Sequence, residues 1–298
     1  IHRSLVELGF NPREFLGVMT SEETLQRVQQ DADDGFGLGI YFTPMIFING
    51  VEYLWYYGGQ GTLLSAVDSI RSGLKGGSAD VVPPPSATDK LLEDWRRGRR
   101  FSLPDHGNKA WLGGGDIEVV VWGDYQSSIT SRLNTEIKTL LERDSRIKYS
   151  YRHFPLDKTC NAIASRSSTT YDGSCFLSKL VESTDVLAGD VARWKLHDWM
   201  FQQSTPIRLS KAIAKAAEFS GHDQSVIQDV MEGIEITNRI RGDIATKNNI
   251  WRKHIPVLMV DGRFVPRWSA DGIETVDLFQ RMLSVVESEV SSGKTGTR

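Results

Sequence analysis

The chain lacks the common sequence motifs of a catalytic site. Its 298 residues include only two cysteines, Cys160 and Cys175, and their spacing is not that of a Cys-x-x-Cys redox pair. The six histidines show no metal-ligand spacing with these cysteines. Neither a phosphate-binding G-x-x-x-x-G-K-S/T motif nor a G-x-S-x-G nucleophile motif occurs. We therefore expect no metal and no cofactor, and the sequence leaves open whether the protein is an enzyme.

An excess of charge of one sign is missing too. The 35 basic residues nearly balance the 38 acidic ones, which gives a net charge of −3. A field this weak does not attract nucleic acid or an anionic membrane surface. No apolar run approaches the roughly 18 residues that a membrane-spanning helix needs. With 40% hydrophobic and 24% charged residues, the composition is that of a globular protein.

The sequence does contain a strand–loop–helix–strand pattern that begins near residue 117. The apolar run 117–122 predicts a buried strand, and the segment 151–156 closes a second one. The loop 124–130 joins the first strand to an amphipathic helix. The apolar residues of that helix recur at helical spacing, at Ile129, Leu133, Ile137, Leu140 and Leu141. The pattern predicts two neighbouring strands packed against one helix.

This run resembles the first half of a DsbA-like thioredoxin domain. In that family the loop normally reads D-Y-Q-C-x-x-C, and the second strand ends in a phrase such as Y-R-H-F-P-L, which stands here at residues 151–156. The two cysteine positions of the loop hold Ser127 and Thr130 in this chain. The resemblance implies an α/β protein with a thioredoxin-like fold and a DsbA-type helical insertion. It also implies that the redox couple of the family is lost.

Ser127 and Thr130 cannot replace the chemistry of the missing cysteines. A thioredoxin-type nucleophile works because a helix N-terminus stabilises its thiolate. A serine alkoxide is not accessible near neutral pH without a base, so Ser127 is expected to serve as the N-cap of the helix. Thr130 cannot resolve a mixed disulfide. Thiol–disulfide exchange at this loop is therefore excluded on chemical grounds.

Residues 178–247 fit the helical insertion of the family. The phrase Trp-x-x-His-Asp-x-x-Phe, which lies in the first helical stretch of this segment, resembles one that is common in DsbA-like domains. It contains His197 beside Asp198, a pairing that invites a catalytic interpretation. We interpret His197 instead as a residue on the flank of a packed helix, beside an acid that faces solvent.

A proline near the C-terminus completes the candidate site. In the family, the proline that corresponds to Pro256 is cis and lies against the active-site loop. The backbone beside it, here at Ile255, normally pairs with an extended substrate peptide, as in strand addition. That surface survives the loss of the cysteines, so the resemblance implies a site for a peptide or a protein partner. Its candidate residues are Tyr125, Ser127, Ile255 and Pro256, with Thr43 and Pro44 at the matching place of an internal repeat.

The internal repeat relates two segments that are 212 residues apart. Residues 43–50 and 255–262 both read x-Pro, four apolar residues and then Asn-Gly or Asp-Gly, the pattern of a strand that enters a hairpin turn. The same offset places Met19 on Met231. We interpret this as a tandem duplication whose first copy is represented only by its C-terminal half. Two unrelated hairpins are the alternative.

The repeat and the composition divide the chain into four parts. Residues 1–75 form the C-terminal half of a DsbA-like domain, residues 116–290 form a complete one, and residues 291–298 form a tail. Residues 76–115 contain Gly-Gly-Ser, Pro-Pro-Pro and Gly-Gly-Gly and are predicted to be a linker. Because half a sheet would expose its edges, we expect about 100 further residues upstream of Ile1, or a partner chain that fills the gap.

The resemblance also implies an extracytoplasmic setting, in the periplasm or the cell envelope. In such a setting Cys160 and Cys175, which 14 residues separate, are expected to form a disulfide, with two reduced thiols as the alternative. Neither cysteine is predicted to lie at a helix N-terminus. The chain begins at Ile1 and not at a methionine, so we expect a processed or truncated product. Relatives fused to membrane enzymes of the vitamin K epoxide reductase type leave open a tether to a membrane protein through further N-terminal sequence.

Three functions stay open on the sequence. The first is a non-catalytic DsbA-like protein that binds an extended peptide or a protein partner at the cis-proline face. The second is a thiol–disulfide oxidoreductase whose C-x-x-C lies in a missing upstream half-domain, opposite Thr43 and Pro44. The third is a glutathione-dependent transferase or isomerase, in which Ser127 hydrogen-bonds the glutathione thiolate and the backbone at Pro256 holds the tripeptide. Neither the identity of the partner nor the oligomeric state follows from the sequence.

Overall fold

The computed structural model of the protein describes most of the chain. The described residues are 2–37, 40, 43–48, 51–52, 62–73, 87–104, 110–164, 169–250, 255–266, 268 and 275–292. They fall into two compact units, the first made of Ile1–Asp94 with Ser269–Ile273 and the second of Trp95–Trp268 with Glu274–Arg298. The predicted Asn-Gly turn at 49–50, residues 76–86 of the predicted linker and the tail beyond 292 lie outside the described residues.

The first unit is mainly helical. Its elements are α1 (His2–Glu7), α2 (Pro12–Met19), α3 (Glu22–Gly37), β1 (Phe47–Ile48), β2 (Val51–Glu52) and α4 (Thr62–Gly73). The side chain of Asn11 caps α2 by accepting hydrogen bonds from two N–H groups of its first turn. β1 and β2 pair as a short antiparallel hairpin. Large apolar side chains on α2 and α3, such as Phe15, Met19 and Val28, are exposed.

The second unit contains the sheet and the longest helices. Helix α5 (Ala87–Arg97) begins in the first unit and ends in the second. The further elements are β3 (Ile117–Gly123), α6 (Ser128–Arg143), β4 (Ile147–His153), a 3-10 turn (Thr169–Tyr171), α7 (Ser174–Phe201), α8 (Leu209–Ser220), α9 (Gln224–Met231), α10 (Ile234–Asn249), β5 (Val257–Val260), β6 (Arg263–Phe264) and α11 (Thr275–Ser291). Within the described ranges, no helix combines the length and the apolar character that crossing a membrane requires.

The sheet has the strand order β4-β3-β5-β6. β3 and β4 run parallel and are joined by α6, whereas β5 runs antiparallel to β3 and forms a hairpin with β6. Helix α11 follows the hairpin, and helices α7 to α10 are inserted between β4 and β5. A βαβ unit followed by a ββα unit, with a helical insertion between them, is the thioredoxin-like arrangement that the sequence resemblance implies. The α/β fold of the second unit is therefore the expected one.

The two central strands are buried on both faces. All but one residue of β3 and of β4 is buried. The sequence of β3 is a nearly continuous apolar run, as expected for a strand covered on both faces. β4 instead buries the polar side chains of Ser150, Arg152 and His153 among its apolar and aromatic ones. Val120, Trp122, Ile240 and Val257 belong to one hydrophobic cluster that joins the sheet to α10. The indole Nε1 of Trp122 donates a hydrogen bond to the backbone carbonyl of Asp243 at 3.1 Å, so the helical insertion is tied to the centre of the sheet.

Part of the predicted linker belongs to the second unit. Leu112 and Tyr149 exchange two backbone hydrogen bonds, with N–O distances of 2.8 and 2.7 Å. The backbone N–H of Phe101 donates to the carbonyl of Gly262 at 2.8 Å. The boundary between the units therefore lies at Asp94, inside α5, and not across the whole predicted linker. A glycine- and proline-rich segment can still add backbone bridges to a sheet, because such bridges do not depend on side chains.

Candidate functional site

The loop after β3 ends in a helix cap. Ser127 has an extended backbone (φ −90°, ψ 116°), and its Oγ accepts a hydrogen bond from the backbone N–H of Thr130 at 3.2 Å. It is the N-cap of α6, as predicted. Ser127 is 6% exposed and Thr130 is fully buried, so neither hydroxyl points freely into solvent.

Thr130 is packed against the end of β3. Its Oγ1 lies 3.5 Å from the backbone N of Asp124, which donates to it. A Cβ added to Gly123 would lie 2.2 Å from Thr130 Cγ2 and 3.1 Å from the hydroxyl of Tyr151. Gly123 is thus required for the close approach of α6 to the strand, since no larger side chain fits between them.

Gly123→Ala is expected to lower the free energy of unfolding by about 1–3 kcal/mol, because the new methyl group overlaps Thr130 Cγ2. Thr130→Ser in the same chain removes the overlapping methyl group and should recover part of that loss. Urea unfolding of the four members of this double-mutant cycle measures the coupling. Gly114→Ala, where no atom lies near the added Cβ, is the control. Additive effects of the two changes would contradict the proposed overlap.

Asp124 and Gln126 hold the loop in place. The carboxylate of Asp124 accepts hydrogen bonds from Gln126 N (2.7 Å), Ser174 Oγ (2.8 Å) and Leu156 N (2.6 Å). Burial raises the pKa of Asp124 above its ordinary value, although these hydrogen bonds act in the opposite direction. The side-chain oxygen of Gln126 accepts from the backbone N–H of Ile207 at 2.9 Å. The loop is therefore anchored to the segment after β4, to the start of α7 and to the segment before α8.

The side chain of Tyr125, the second residue of the loop, belongs to a buried hydrogen-bond network. Its hydroxyl is 3.0 Å from His197 Nδ1, and His197 Nε2 is 3.0 Å from Asn134 Oδ1. Tyr149 donates to the same Asn134 oxygen at 3.2 Å. Because that oxygen only accepts, His197 Nε2 carries the hydrogen and Nδ1 accepts from Tyr125. Burial lowers the pKa of His197 well below its ordinary value, so the ring is neutral.

This network corrects the expectation that His197 lies on a helix flank. His197 is 1% exposed, and both of its ring nitrogens are used in the core. Ser127 Oγ accepts a hydrogen bond from the Thr130 N–H, and no base in the described part of the chain hydrogen-bonds to it. Tyr125, which was expected at the binding surface, supports the loop from below.

The cis-proline lies at the same edge of the sheet as the loop. The Ile255–Pro256 peptide bond is cis, and β5 starts at the next residue. That residue, Val257, pairs with Trp122, which stands two positions before the loop. The end of β3 and the start of β5 are side by side, so Ser127, Ile255 and Pro256 belong to one edge. Ile255 and Pro256 are half-buried.

Thr43 and Pro44, the candidate residues from the predicted repeat, lie in the first unit. Their peptide bond is also cis, and both residues are exposed just before β1. The structure assigns them to a different compact unit from Ser127, Ile255 and Pro256. The predicted binding residues therefore divide into two separate sets, one in each unit.

Ile129 is a surface residue that the sequence pattern placed in the core. Leu133, Ile137 and Leu140 are completely buried as predicted, whereas Ile129 is 55% exposed. Ile129 is four residues before Leu133, a spacing that fits the buried face of the helix, so helical periodicity alone wrongly assigns Ile129 to the core. Its position in the first turn of α6, two residues after the N-cap Ser127, is the signal that could have found it. An exposed apolar side chain next to the loop is a candidate contact for a partner.

The two cysteines form the expected disulfide, with their Cα atoms 5.9 Å apart. Cys175 is the second residue of α7, which corrects the expectation that neither cysteine lies at a helix N-terminus. Asp157 caps the same turn, because its carboxylate accepts from the backbone N–H groups of Gly173 (3.1 Å) and Cys175 (3.4 Å). The bond ties the loop after β4 to the start of the helical insertion.

No family profile matches this sequence, and no curated protein matches it. Among solved structures, a thioredoxin-like oxidoreductase from Silicibacter pomeroyi DSS-3 is 20% identical with a TM-score of 0.49, over 61% of this chain and 95% of that one. Oxidised BdbD from Bacillus subtilis is 14% identical with a TM-score of 0.48, over 65% and 98%. The catalytic domain of Proteus mirabilis ScsC is 11% identical with a TM-score of 0.45, over 66% and 98%. The fold assignment rests on the strand order and connections described above.

Proposed function

We propose that this protein is a non-catalytic thioredoxin-like binding protein, which holds an extended peptide or an extended segment of a protein partner at the edge formed by the loop 124–130 and Ile255–Pro256. One observation carries the proposal: the hydroxyl of Ser127, which stands where the family has its nucleophile, is committed to capping α6. Both cysteines of the chain are bonded to each other elsewhere. An edge of this geometry without sulfur chemistry is suited to binding alone.

The edge offers the groups that an extended peptide needs. Neither Ile255 nor Pro256 hydrogen-bonds to any residue that the structure describes, so the backbone of Ile255 is available for strand addition. Ile129 adds an exposed apolar side chain, and Ser128 beside it adds an exposed hydroxyl. The preferred ligand is therefore an extended segment with one apolar side chain directed at Ile129.

Screening of the full chain against a random array of immobilised peptides tests the proposal. The bound peptides should share an apolar position, and Ile129→Lys should weaken their binding at least about tenfold, because it replaces the apolar contact with a charge. Binding is measured by calorimetry with one selected peptide. Val191→Lys, at a valine of α7 that is 70% exposed, is the matched control and should bind as the unchanged chain does. Equal affinities of the two variants would refute the site.

A tandem origin of the two units supports the same class of protein. The first residues of α2 and α9, Pro12 and Gln224, are 212 positions apart, and so are those of α3 and α10. Strands β2 and β6 differ by the same offset. We infer that the first unit is the C-terminal half of a second DsbA-like domain. That inference favours, as a second candidate function, an oxidoreductase whose C-x-x-C lies in the half-domain that completes this copy.

The intact mass and sequence of the protein purified from its native source distinguish the two candidates. A native product longer by about 100 residues that carries a C-x-x-C supports the oxidoreductase. A native product without such a pair supports binding alone. The disulfide favours an extracytoplasmic location in either case, because such bonds persist in oxidising compartments.

A further inference from the structure

The disulfide lies at the wall of a cavity that is separate from the loop 124–130. The cavity has a volume of about 500 Å³, and both Cys160 and Cys175 line it. Three cationic side chains, Lys158, Lys179 and Arg241, also line it, and none of the loop residues does. The three cations come from three different segments: the loop after β4, helix α7 and helix α10. A disulfide is thus accessible inside a basic pocket.

The charge of the pocket is poorly compensated. Among the described residues that line the pocket, Glu232 is the single acidic one, and its carboxylate lies 3.6 Å from Lys179 Nζ. Water screens the charge of Glu232, whose side chain is 79% exposed, and in the same way those of the exposed Lys158 and Arg241. The excess of three cations over one acid therefore sets the sign of the charge around the pocket. Lys158 and Arg241 make no ion pair with any residue in the described part of the chain. The pocket therefore favours an anionic ligand.

The two sulfurs differ in their surroundings. Cys160 is half-buried and is the more accessible of the two, whereas Cys175 is 5% exposed. A thiolate at Cys175 would lie in the first turn of α7, where N–H groups and the helix dipole stabilise negative charge. The carboxylate of Asp157, which caps this turn, opposes that effect in part. Lys158 and Lys179 line the same pocket as the sulfurs, and their positive charges counteract the negative charge of Asp157.

We propose that this pocket is a reaction site for small anionic thiols. The thiolate sulfur of the ligand attacks Cys160 Sγ, and the electron pair of the disulfide passes to Cys175 Sγ. The products are a mixed disulfide at Cys160 and a free thiolate at Cys175, so the ligand sulfur is oxidised and Cys175 is reduced. The step uses neither Ser127 nor the cis-proline edge, and it stands independently of peptide binding there.

Thiols of different charge test the proposal on the oxidised full chain. Glutathione (anionic), 2-mercaptoethanol (neutral) and cysteamine (cationic) are each reacted with it, quenched with acid and analysed by peptide mass mapping. Each rate is divided by the rate of the same thiol with the neutral model disulfide of 2-mercaptoethanol. We expect the normalised rate of glutathione to exceed that of cysteamine by about tenfold at low ionic strength, and less in about 1 M salt. Adducts should be found on Cys160.

Substitutions of Lys158 and Arg241 test whether the preference for glutathione comes from the charge of the pocket or only from the accessibility of the disulfide. Lys158→Gln and Arg241→Gln should each lower the preference for glutathione by about twofold to threefold, because each removes one nearby charge. Lys211→Gln, at an exposed lysine of α8 outside the pocket, should leave it unchanged. Equal normalised rates for the three thiols, adducts on Cys175, or a preference that survives loss of both cations would each overturn the proposal. None of these three results would bear on the proposal that a peptide binds at the loop 124–130 and Ile255–Pro256.

Discussion

The double variant Ser127→Cys/Thr130→Cys is expected to acquire thiol–disulfide exchange activity. Its rate of insulin reduction in the presence of dithiothreitol should exceed that of the unchanged chain by at least about a hundredfold. The backbone arrangement for this activity is already present, because strand β3 leads through the loop to the N-terminus of α6, where both positions lie. Only the sulfur atoms are missing.

The geometry of the cap is the reason for this expectation. Ser127 Oγ already accepts the N–H of Thr130 at the start of the 16-residue helix α6, so a cysteine sulfur there would receive the same N–H and the helix dipole. The pKa of the thiol that Ser127→Cys introduces should fall below the ordinary value of about 8.5. Thr130 is fully buried beside it, which keeps a second cysteine within reach of the first.

Two further variants control this experiment. Thr135→Cys places an exposed thiol on α6 beyond its first turn, where the N–H groups are bonded within the helix, and should be inactive with an ordinary pKa. Ser127→Cys alone should form long-lived mixed disulfides, because no second cysteine resolves them. If the two introduced cysteines of the double variant form a disulfide with each other and the variant still reduces insulin at the background rate, the loop is not a degenerate redox site.

Removal of the carboxylate at Glu182 is expected to cause a large loss of stability in the second unit. Glu182 is completely buried, and it accepts hydrogen bonds from His153 Nε2 (2.7 Å), from Arg193 and from Arg239 (3.2 Å). Glu182→Ala would leave the buried guanidinium of Arg193 without its main partner. Breaking a buried ion pair in this way costs about 3–5 kcal/mol, which urea unfolding measures. Glu235→Ala removes an exposed partner of Arg239 and should cost less than about 1 kcal/mol.

The contribution of Glu182 should also depend on pH. Burial by itself would raise the pKa of Glu182, but Arg193, His153 and Arg239 outweigh it and hold the pKa well below the ordinary value. A depressed carboxyl pKa gives stability that is complete above the unfolded-state value of about 4.3 and is lost as the pH falls towards the folded-state value. The stability difference between the unchanged chain and Glu182→Gln should therefore shrink below about pH 4. A difference that stays constant from pH 7 to pH 3 would contradict this account.

Local patterns predicted the elements of the second unit correctly, but not which side chains they expose. The apolar run of β3 identified a buried strand, and Ser127 was identified as a cap from its place before a helix. Ile129 and His197 were misplaced because helical spacing shows which residues share a stripe and not where that stripe ends. The burial of His197 depends on Tyr125 and Asn134, which lie far from it in sequence.

The chemistry at the loop is a property of the sequence alone. No conformation can supply a sulfur atom at Ser127 or Thr130, so the absence of the redox couple was determined before the chain folded. The basic pocket beside Cys160 and Cys175 was decided by the tertiary structure. Lys158, Lys179 and Arg241 are up to 83 positions apart in the chain, and their charges act together only because the packing of α7, α10 and the loop after β4 brings them around one disulfide.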